Sequence, residues 1–343
     1  KNVILIGTKG VPAKHGAFEQ FAHVFSKNFV SDYKITVYCE GRDSGEYIPE
    51  INRVFIPVLN FTFYPILYDL FSIVHFILSN KRKNSTVFIF GYTAAPFFVL
   101  LNLMKVKYFV NTDGYEYKRA KFGRIAKFYL RFAEKMAVFW AGNNLITDSS
   151  DLVRYFQIRY NVDPNFIAYG FDPYIVTKVN NKTSKYGKYD ICVQRLEPEN
   201  NIELIIEAYR VSERKLLIVG PTTRWFDEKM KNTLTDNIIY LGPIYDRDFL
   251  MTLRSDAERY VHGHSVGGMN PVLIESLQFK HIPMLFLTPH NYEVYGTAAY
   301  YFYDKTSLTN LLSHKITRQV EDPRHSQSRF TWDYILNQYK ALI

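Results

Sequence analysis

Residues 262–275 read HGHSVGGMNPVLIE and connect a short strand-like run to a helical pattern. Gly267 and Gly268 allow the backbone to adopt positive φ and to approach a ligand closely. Asn270 suits a helix N-cap, and Pro271 suits the first helical turn. Free amides at such a bend, together with the positive end of a helix, favour a bound diphosphate.

The helix predicted over residues 271–279 places Glu275 about one turn after Pro271, on the same face. A carboxylate in this place can accept hydrogen bonds from the hydroxyls of a ribose. The glycines, the cap and Glu275 together predict a nucleoside-diphosphate site. The alternative is an ordinary strand–turn–helix junction with a glutamate on its surface.

Strands and helices alternate along the whole chain, which predicts an α/β fold with parallel sheets. The length of 343 residues is too great for one ordinary core and indicates two domains. We place the domains at residues 1–171 and 172–328, followed by a C-terminal helix within 329–343. The predicted strands are residues 3–6, 35–39, 54–56, 87–90, 107–111, 144–147, 166–169, 190–193, 215–219, 238–241, 259–262 and 283–287.

The two halves of the chain differ in charge. Residues 1–170 contain 21 Lys and Arg against 13 Asp and Glu, a surplus of +8, whereas residues 171–343 contain 21 against 20, a surplus of +1. A basic domain of this kind meets phosphates or an anionic membrane surface. The pattern contains no nucleic-acid-binding module, so no nucleic-acid partner is expected.

The two cysteines, Cys39 and Cys192, each fall near a predicted strand and are expected to be buried thiols in a reducing compartment. Residue 1 leads directly into a strand, so no signal peptide is predicted. No run of about 20 uncharged apolar residues occurs, and no membrane-spanning helix is predicted. We expect a cytoplasmic protein and leave open peripheral attachment to the inner face of the membrane.

A glycine-containing loop, GTKGVPAKHG at residues 7–16, separates the first strand from the first helix. The loop lacks the glycine spacing of a dinucleotide fingerprint. We expect Gly10 and Gly16 to lie over a ligand bound between the domains. The alternative is an ordinary connection between a strand and a helix.

Asp113 follows the predicted strand 107–111, at the sheet edge where ligands of α/β proteins gather. The next charged residues are candidate contacts for a second substrate: Glu116, Lys118, Arg119 and Lys121. The helix predicted over residues 120–138 carries three cations on one face: Arg124, Lys127 and Arg131. These cations either contact an acceptor phosphate or form a solvated face.

Residues 61–78 are strongly apolar and are followed by three cations at residues 81–83. The segment is too short and too polar to span a bilayer. It is either a core helix with a solvated basic end or an interfacial helix on a membrane. We favour the core helix.

In the second half, RLEPENNI at residues 195–202 follows the predicted strand 190–193. Arg195 stands at the carboxyl end of this strand, and its guanidinium can bind a diphosphate with two parallel hydrogen bonds. The alternative is a salt bridge to Glu197 or Glu199.

Four segments together resemble a known family. Residues 195–202 and 264–275 resemble the donor-site loop and the nucleotide-sugar motif of retaining glycosyltransferases of family 4. Residues 7–19 and 113–121 resemble the N-terminal domain of a bacterial subgroup, which includes rhamnosyltransferases of capsule and cell-wall polysaccharide assembly. The resemblance covers nearly the whole chain.

The resemblance implies the GT-B fold, with two Rossmann-like, doubly wound domains facing across a cleft and a C-terminal helix that crosses back to the first domain. It implies transfer of rhamnose or another hexose from a UDP- or dTDP-linked donor to a hydroxyl of a lipid-linked or polysaccharide acceptor, with retention. No cofactor and no metal are expected, and the sequence does not specify an oligomeric state. The implied donor-binding residues are Arg195, His264, Gly267, Gly268, Met269, Asn270, Glu275, Ile244, Gly10 and Gly16.

Three residues are implied to be catalytic. Arg195 and the amides of the glycine bend stabilise the charge on the leaving diphosphate, and Glu275 fixes the ribose. Asp113 orients the acceptor hydroxyl, for which Glu116, Lys118, Arg119 and Lys121 supply further contacts. The only D-x-D pair, Asp246 and Asp248, opens a predicted helix, where acids are expected as caps rather than as metal ligands.

The chain departs from the family at three positions. Eight residues before Glu275, where the family has a first acid, this chain has Gly267, with His264 in the neighbourhood. Where many members have a lysine after the glutamate of the donor loop, it has Asn200. Where many have a histidine at a strand end, it has Asp113.

Three other functions compete with sugar transfer. A nicotinamide-dependent oxidoreductase is disfavoured because the dinucleotide fingerprint is absent. A nucleotide-sugar epimerase leaves the basic first half unexplained. A non-catalytic sugar- or lipid-binding relic of the fold agrees with the missing acid and lysine.

Overall fold

The computed structural model describes residues 1–13, 16–41, 50–57, 64–79, 81–119, 122–174, 181–317 and 327–343. The chain divides into two compact units: Lys1–Tyr169 together with Trp332–Ile343, and Gly170–Thr331. In the described residues, neighbouring strands of both sheets pair in parallel. This agrees with the α/β fold predicted from the alternation of strands and helices.

The strands of the first unit are β1 (Asn2–Ile6), β2 (Lys34–Glu40), β3 (Asn52–Ile56), β4 (Ser85–Phe90), β5 (Lys107–Asn111), β6 (Leu145–Thr147) and β7 (Asn165–Phe166). They form one sheet in the order β3-β2-β1-β4-β5-β6-β7. The central strands are near-continuous apolar runs because helices cover both faces of the sheet.

The helices are α1 (Ala17–Phe29), α2 (Tyr64–Leu78), α3 (Val99–Leu103), α4 (Arg124–Ala141), α5 (Ser150–Tyr160), α6 (Ile202–Tyr209), α7 (Arg224–Lys229), α8 (Arg247–Asp256), α9 (Pro271–Ser276), α10 (Pro289–Tyr295), α11 (Lys305–Ser313) and α12 (Trp332–Leu342). Helices α1 to α5 belong to the first unit, and α6 to α11 belong to the second.

The last helix, α12, packs within the first unit. The ring of Tyr339 lies 4.6 Å from that of Phe21, centroid to centroid, and its hydroxyl accepts a hydrogen bond from Asn111 at 3.1 Å. This confirms that the C-terminal helix crosses back to the first domain.

Helix α2 is a core helix. It buries Tyr68, Asp69, Ile73 and Phe76, which confirms the favoured core prediction for residues 64–78. Residues 61–63 lie outside the described part of the chain. Within that part, none of the helices combines the length and apolarity that crossing a bilayer requires.

The strands of the second unit are β8 (Asp190–Val193), β9 (Leu216–Val219), β10 (Ile238–Gly242), β11 (Arg259–His262), β12 (Ile282–Phe286) and β13 (Tyr300–Phe302). They form a sheet in the order β10-β9-β8-β11-β12-β13. Cys192 lies in β8 and Cys39 lies in β2; both are buried free thiols, as predicted.

Several elements differ from the sequence prediction. The helix predicted over residues 120–138 begins at Arg124 and continues to Ala141. The helix predicted over 271–279 ends at Ser276, whose hydroxyl donates back to the carbonyl of Leu273. Strand β13 and helix α10 were not predicted, because a three-residue strand and a seven-residue helix carry little periodicity.

Candidate functional site

The direction of the strand order reverses between β8 and β11, which are neighbours in the second sheet. Ligands of open α/β sheets bind outside the carboxyl ends of the strands at such a switch point. Two loops leave this edge, residues 194–201 after β8 and residues 263–270 after β11. They contain most of the donor-site residues that the sequence predicts.

The side chain of Asn200 joins the two loops. Its Nδ2 donates to the carbonyl of Arg195 at 2.8 Å, and its Oδ1 lies 2.8 Å from Nδ1 of His264. Because the amide nitrogen faces Arg195, the amide oxygen accepts, and Nδ1 of His264 carries the proton. Asn200 is 5% exposed, so these bonds are shielded from water. The asparagine in the place of the family's lysine therefore has a structural role.

Further hydrogen bonds hold the loops together. Gln194 accepts from the amide of Gly263 at 3.1 Å and donates to the carbonyl of Asn200 at 2.8 Å. The amide and hydroxyl of Ser265 both donate to the carbonyl of Glu199. A Cβ atom at position 263 would lie 2.1 Å from the carbonyl oxygen of Asn200, so only glycine allows this approach. In the sequence, only the presence of a glycine at position 263 hinted at these contacts.

The bend at residues 267–269 presents unused amides. Among the described residues, no hydrogen bond uses the amide of Gly267, Gly268 or Met269. Gly267, Gly268 and Met269 are all buried, and Met269 is 4% exposed. The side chain of Asn270 accepts from the amide of Val272 at 2.9 Å, which makes it the predicted N-cap of α9.

His264 occupies the space beside position 267. Gly267 has a φ of +132°, and a Cβ atom placed there would lie 3.3 Å from Nε2 of His264. An acidic side chain at position 267 would therefore meet the imidazole ring. The structure thus relates the missing first acid to the histidine three residues earlier.

Arg195 is exposed at the carboxyl end of β8. In the described part of the chain its guanidinium forms no ion pair or hydrogen bond, so the alternative salt bridge to Glu197 or Glu199 is absent there. A cation with these properties is available to a phosphate.

Glu275 pairs with a residue that the sequence did not suggest. Nη1 of Arg254 lies 2.5 Å from Oε2 of Glu275, and Nη2 donates to the carbonyl of Val272 at 2.8 Å. The Arg254 side chain is fully buried, between the rings of Tyr260 and Phe279, whereas that of Glu275 is 24% exposed. Glu275 is therefore held by a buried partner, and part of its side chain still reaches solvent. Arg254 was missed because its position in α8 reads as the last turn of an ordinary helix.

A cluster of three histidines, His262, His264 and His290, includes the neighbour of Gly267 in the bend. Nδ1 of His262 lies 2.9 Å from the hydroxyl of Tyr260, and the rings of His264 and His290 are 5.6 Å apart between centroids. Burial lowers the pKa of His262 well below its usual value, with His264 and His290 adding to the effect. His262 is therefore neutral at physiological pH. In the described residues, no group of His, Cys, Asp and Glu is arranged to hold a metal.

Ile244 follows β10, two strands away from β8 on the same carboxyl edge. At the usual strand spacing, the ends of β10 and β8 are about 10 Å apart. Asp246 accepts from the amide of Phe249 at 3.1 Å and is the N-cap of α8, as predicted. Asp248 accepts from the hydroxyl of Tyr174 at 2.5 Å.

In the first unit, Asp113 follows β5 with a φ of +59°, a left-handed conformation that aspartate tolerates. Its amide donates to the side chain of Asn111 at 3.0 Å. In the described residues, its carboxylate forms no hydrogen bond or ion pair. Asp113 is therefore available at the predicted sheet edge.

The predicted acceptor contacts are largely engaged with their neighbours. Nη1 of Arg119 lies 3.1 Å from a carboxylate oxygen of Glu116. Nζ of Lys118 lies 3.6 Å from the centre of the Tyr115 ring. Lys121 lies outside the described residues. The Glu116–Arg119 pair neutralises two of the charges that the sequence assigned to an acceptor.

Gly10 and Gly16 have local structural roles. A Cβ atom at Gly10 would lie 2.8 Å from Cβ and Sγ of Cys39, so glycine is required by packing. Gly16 is the N-cap of α1, and its amide donates to Glu19 at 3.3 Å. These contacts correspond to the alternative that the loop is an ordinary strand–helix connection. Residues 14–15 of this loop lie outside the described part.

A buried acid in the first unit was not predicted. Oδ2 of Asp69, in α2, accepts from the hydroxyl of Thr93 at 3.3 Å, and Oδ1 has no hydrogen-bond partner in the described residues. Burial raises the pKa of Asp69 to about 8. The carboxyl is therefore mostly protonated at neutral pH. The sequence signal that could have revealed this buried acid is its position as the lone acid in the apolar run 61–78.

Comparison with known families provides an assignment. Residues 1–172, half of the 343-residue chain, match the family model described as a domain of unknown function, DUF1972. The chain belongs to the DUF1972 family. No curated protein sequence is significantly similar to it.

Solved structures resemble this DUF1972 protein over its full length. Sucrose-phosphate synthase from Thermosynechococcus elongatus is 14% identical, with a TM-score of 0.76 over 100% of this chain and 98% of the other. HepE from Anabaena, in complex with UDP, is 13% identical, with a TM-score of 0.74 over 99% of each chain. An α,α-trehalose-phosphate synthase from Burkholderia xenovorans, in complex with glucose-6-phosphate, is 12% identical, with a TM-score of 0.72 over 100% of each chain. These likenesses establish that this DUF1972 protein has the GT-B fold.

Proposed function

We propose that this DUF1972 protein is a retaining glycosyltransferase, as its resemblance to family 4 and to bacterial rhamnosyltransferases implies. It moves rhamnose or another hexose from UDP or dTDP to a hydroxyl of a lipid-linked or polysaccharide acceptor. One observation carries the proposal: the two hydrogen-bonded loops at the switch point of the second sheet contain a cation, Arg195, and three amides at residues 267–269 that have no partner among the described residues. Of the structural neighbours, HepE was solved with UDP.

The reaction breaks the bond between the anomeric carbon and the oxygen of the diphosphate, and the electron pair stays with the leaving diphosphate. The acceptor oxygen bonds to the same face of the sugar and gives its proton to the leaving phosphate oxygen. Negative charge grows on the diphosphate as the bond breaks. Arg195 and the amides of the bend stabilise this charge, which lowers the barrier because the interaction strengthens in the transition state.

Glu275 and Asp113 have separate roles in the proposal. The carboxylate of Glu275 keeps one oxygen on Arg254 and turns its solvent-exposed part toward the ribose hydroxyls of the donor. Asp113 orients the acceptor hydroxyl, a role supported by its position after β5 and by a carboxylate that has no partner in the part of the chain the structure describes. The protein acts in the cytoplasm, at the inner face of the membrane if the acceptor is lipid-linked.

Titration calorimetry with UDP, dTDP, GDP and NAD tests the proposal. Tightest binding of UDP or dTDP is expected, and preferential binding of NAD would replace the proposal with an oxidoreductase. Incubation with radiolabelled nucleotide sugars and a lipid-linked acceptor then separates the remaining alternatives. Label in the acceptor supports transfer, an isomerised nucleotide sugar indicates an epimerase, and binding without turnover indicates a non-catalytic relic.

A further inference from the structure

The outer face of α4 presents a row of large apolar side chains to solvent. The exposed fractions are 85% for Ile125, 77% for Phe128, 46% for Phe132 and 69% for Phe139. Their spacing of three, four and seven residues places them on one side of the helix. The opposite side packs into the core of the unit through Leu130, Ala133, Ala137 and Ala141. The row is therefore separate from the face that stabilises the fold.

A row of cations runs beside the apolar row. Arg124, Arg131 and Lys135 are exposed, and at about 100° per residue they lie roughly 70° around the helix axis from the apolar side chains. The one acid of the helix, Glu134, is 4% exposed and accepts hydrogen bonds from Tyr155 and Tyr160 at 2.7 and 2.6 Å. The exposed face of α4 thus carries positive charge without a compensating acid of its own.

The turn after α3 extends this surface. Leu103 and Met104 are 69% and 47% exposed, and Nη1 of Arg82 lies 3.2 Å from Sδ of Met104. The preceding residue, Asn102, lies against the end of α4, with Nδ2 3.4 Å from the carbonyl oxygen of Trp140. Apolar and cationic side chains are therefore combined in this turn as they are in α4.

We propose that the α4 surface, formed by the exposed side chains of Arg124–Ala141 and of residues 103–105, docks on an anionic lipid bilayer. The aromatic and aliphatic side chains enter the interfacial region, and the adjacent cations bind the lipid phosphates. An 18-residue helix is about 27 Å long and lies in the plane of the membrane. A second copy is a poorer partner, because pairing through this face would bring two rows of cations together. The inference goes beyond sugar transfer.

Vesicle flotation tests the inference without any donor sugar. The full chain is mixed with phosphatidylcholine vesicles and with vesicles that also contain phosphatidylglycerol; binding is expected only with phosphatidylglycerol and is expected to weaken as salt rises. Phe128→Gln should lower the bound-to-free ratio on the order of tenfold. Arg131→Gln should lower it about fivefold. Ile158→Gln and Arg154→Gln alter exposed side chains of α5 and serve as matched controls, with binding unchanged.

The altered side chains are exposed, so each variant is expected to fold like the wild type. Circular dichroism checks this. Equal binding of Phe128→Gln and wild type would overturn the inference. So would equal losses in Phe128→Gln and Ile158→Gln, or failure of the wild type to bind either vesicle. Sedimentation velocity tests whether a second copy of the chain occupies this face instead. A wild-type dimer that dissociates in the Phe128→Gln variant would show an interface between copies and would overturn the inference.

Discussion

Arg254 holds Glu275 in an ion pair in which the guanidinium is fully buried and Nη1 lies 2.5 Å from Oε2. The same guanidinium donates to the carbonyl of Val272, so it also fixes the first turn of α9. The residue proposed to bind the ribose is therefore oriented from within the second unit, by an arginine 21 positions earlier in the chain.

Replacing this arginine is expected to damage both the fold and donor binding. Arg254→Met should lower the free energy of unfolding by about 3 kcal/mol, because it leaves a partly buried carboxylate without its partner. Arg224→Met, which breaks the exposed pair with Glu228, should change it by less than about 0.5 kcal/mol. Urea unfolding measures both, and calorimetry with UDP and dTDP compares Arg254→Met with Glu275→Gln. Retention of wild-type donor affinity in both variants would remove the pair from the donor site.

Arg195 is expected to contact the diphosphate of the donor and not its nucleoside. Arg195→Ala should weaken binding of UDP or dTDP by about 10- to 100-fold, because one charge-assisted interaction contributes about 1.5–3 kcal/mol. Binding of uridine or thymidine should be unchanged. Arg210→Ala removes another exposed cation of the same unit and is the control. If nucleoside and nucleoside diphosphate lose affinity to the same extent, Arg195 does not contact the phosphates.

A lysine at position 200, as in many family 4 glycosyltransferases, is not expected to improve donor binding in this chain. Asn200 donates to Arg195 and accepts from His264 while buried, and an ammonium group cannot accept a hydrogen bond. Asn200→Lys should therefore destabilise the protein by about 2–3 kcal/mol and should not tighten UDP or dTDP binding. Asn310→Lys, on the exposed side of α11, is the control for the added charge. A stable Asn200→Lys variant with improved diphosphate affinity would contradict this account of the loop.

The raised pKa of Asp69 predicts how the free energy of unfolding depends on pH. Its pKa is about 8 in the folded chain and about 4 in an unfolded one, so between these values only the unfolded state loses the proton. The free energy of unfolding should consequently fall as pH rises through this window, by up to about 1.4 kcal/mol per pH unit from this group. Urea unfolding at several pH values measures the slope.

Asp69→Asn keeps the shape and the contact with Thr93 but removes the titration. Its stability relative to wild type should increase steadily from about pH 4 to about pH 8. Asp172→Asn, at an exposed position, controls for the loss of a surface carboxyl. A constant difference between Asp69→Asn and wild type over this range would show that Asp69 is already ionised in the folded protein.

The sequence alone determined the fold class and the general place of the candidate site. Strand and helix periods are local, so the α/β pattern, the N-cap at Asn270 and the cap at Asp246 could be predicted from neighbouring residues. The positions of Arg195 and Asp113 at strand ends followed for the same reason. Charge surplus in the first half was also visible from composition.

The tertiary structure decided which residues are partners. Asn200 contacts His264 across 64 positions, Arg254 contacts Glu275 across 21, and Asp69 meets Thr93 across 24. Burial likewise decided that α2 belongs to the core, while α4 carries an exposed aromatic row on its outer face. A local pattern shows which side chains share a helix face or strand end, but partners and burial depend on how distant segments pack.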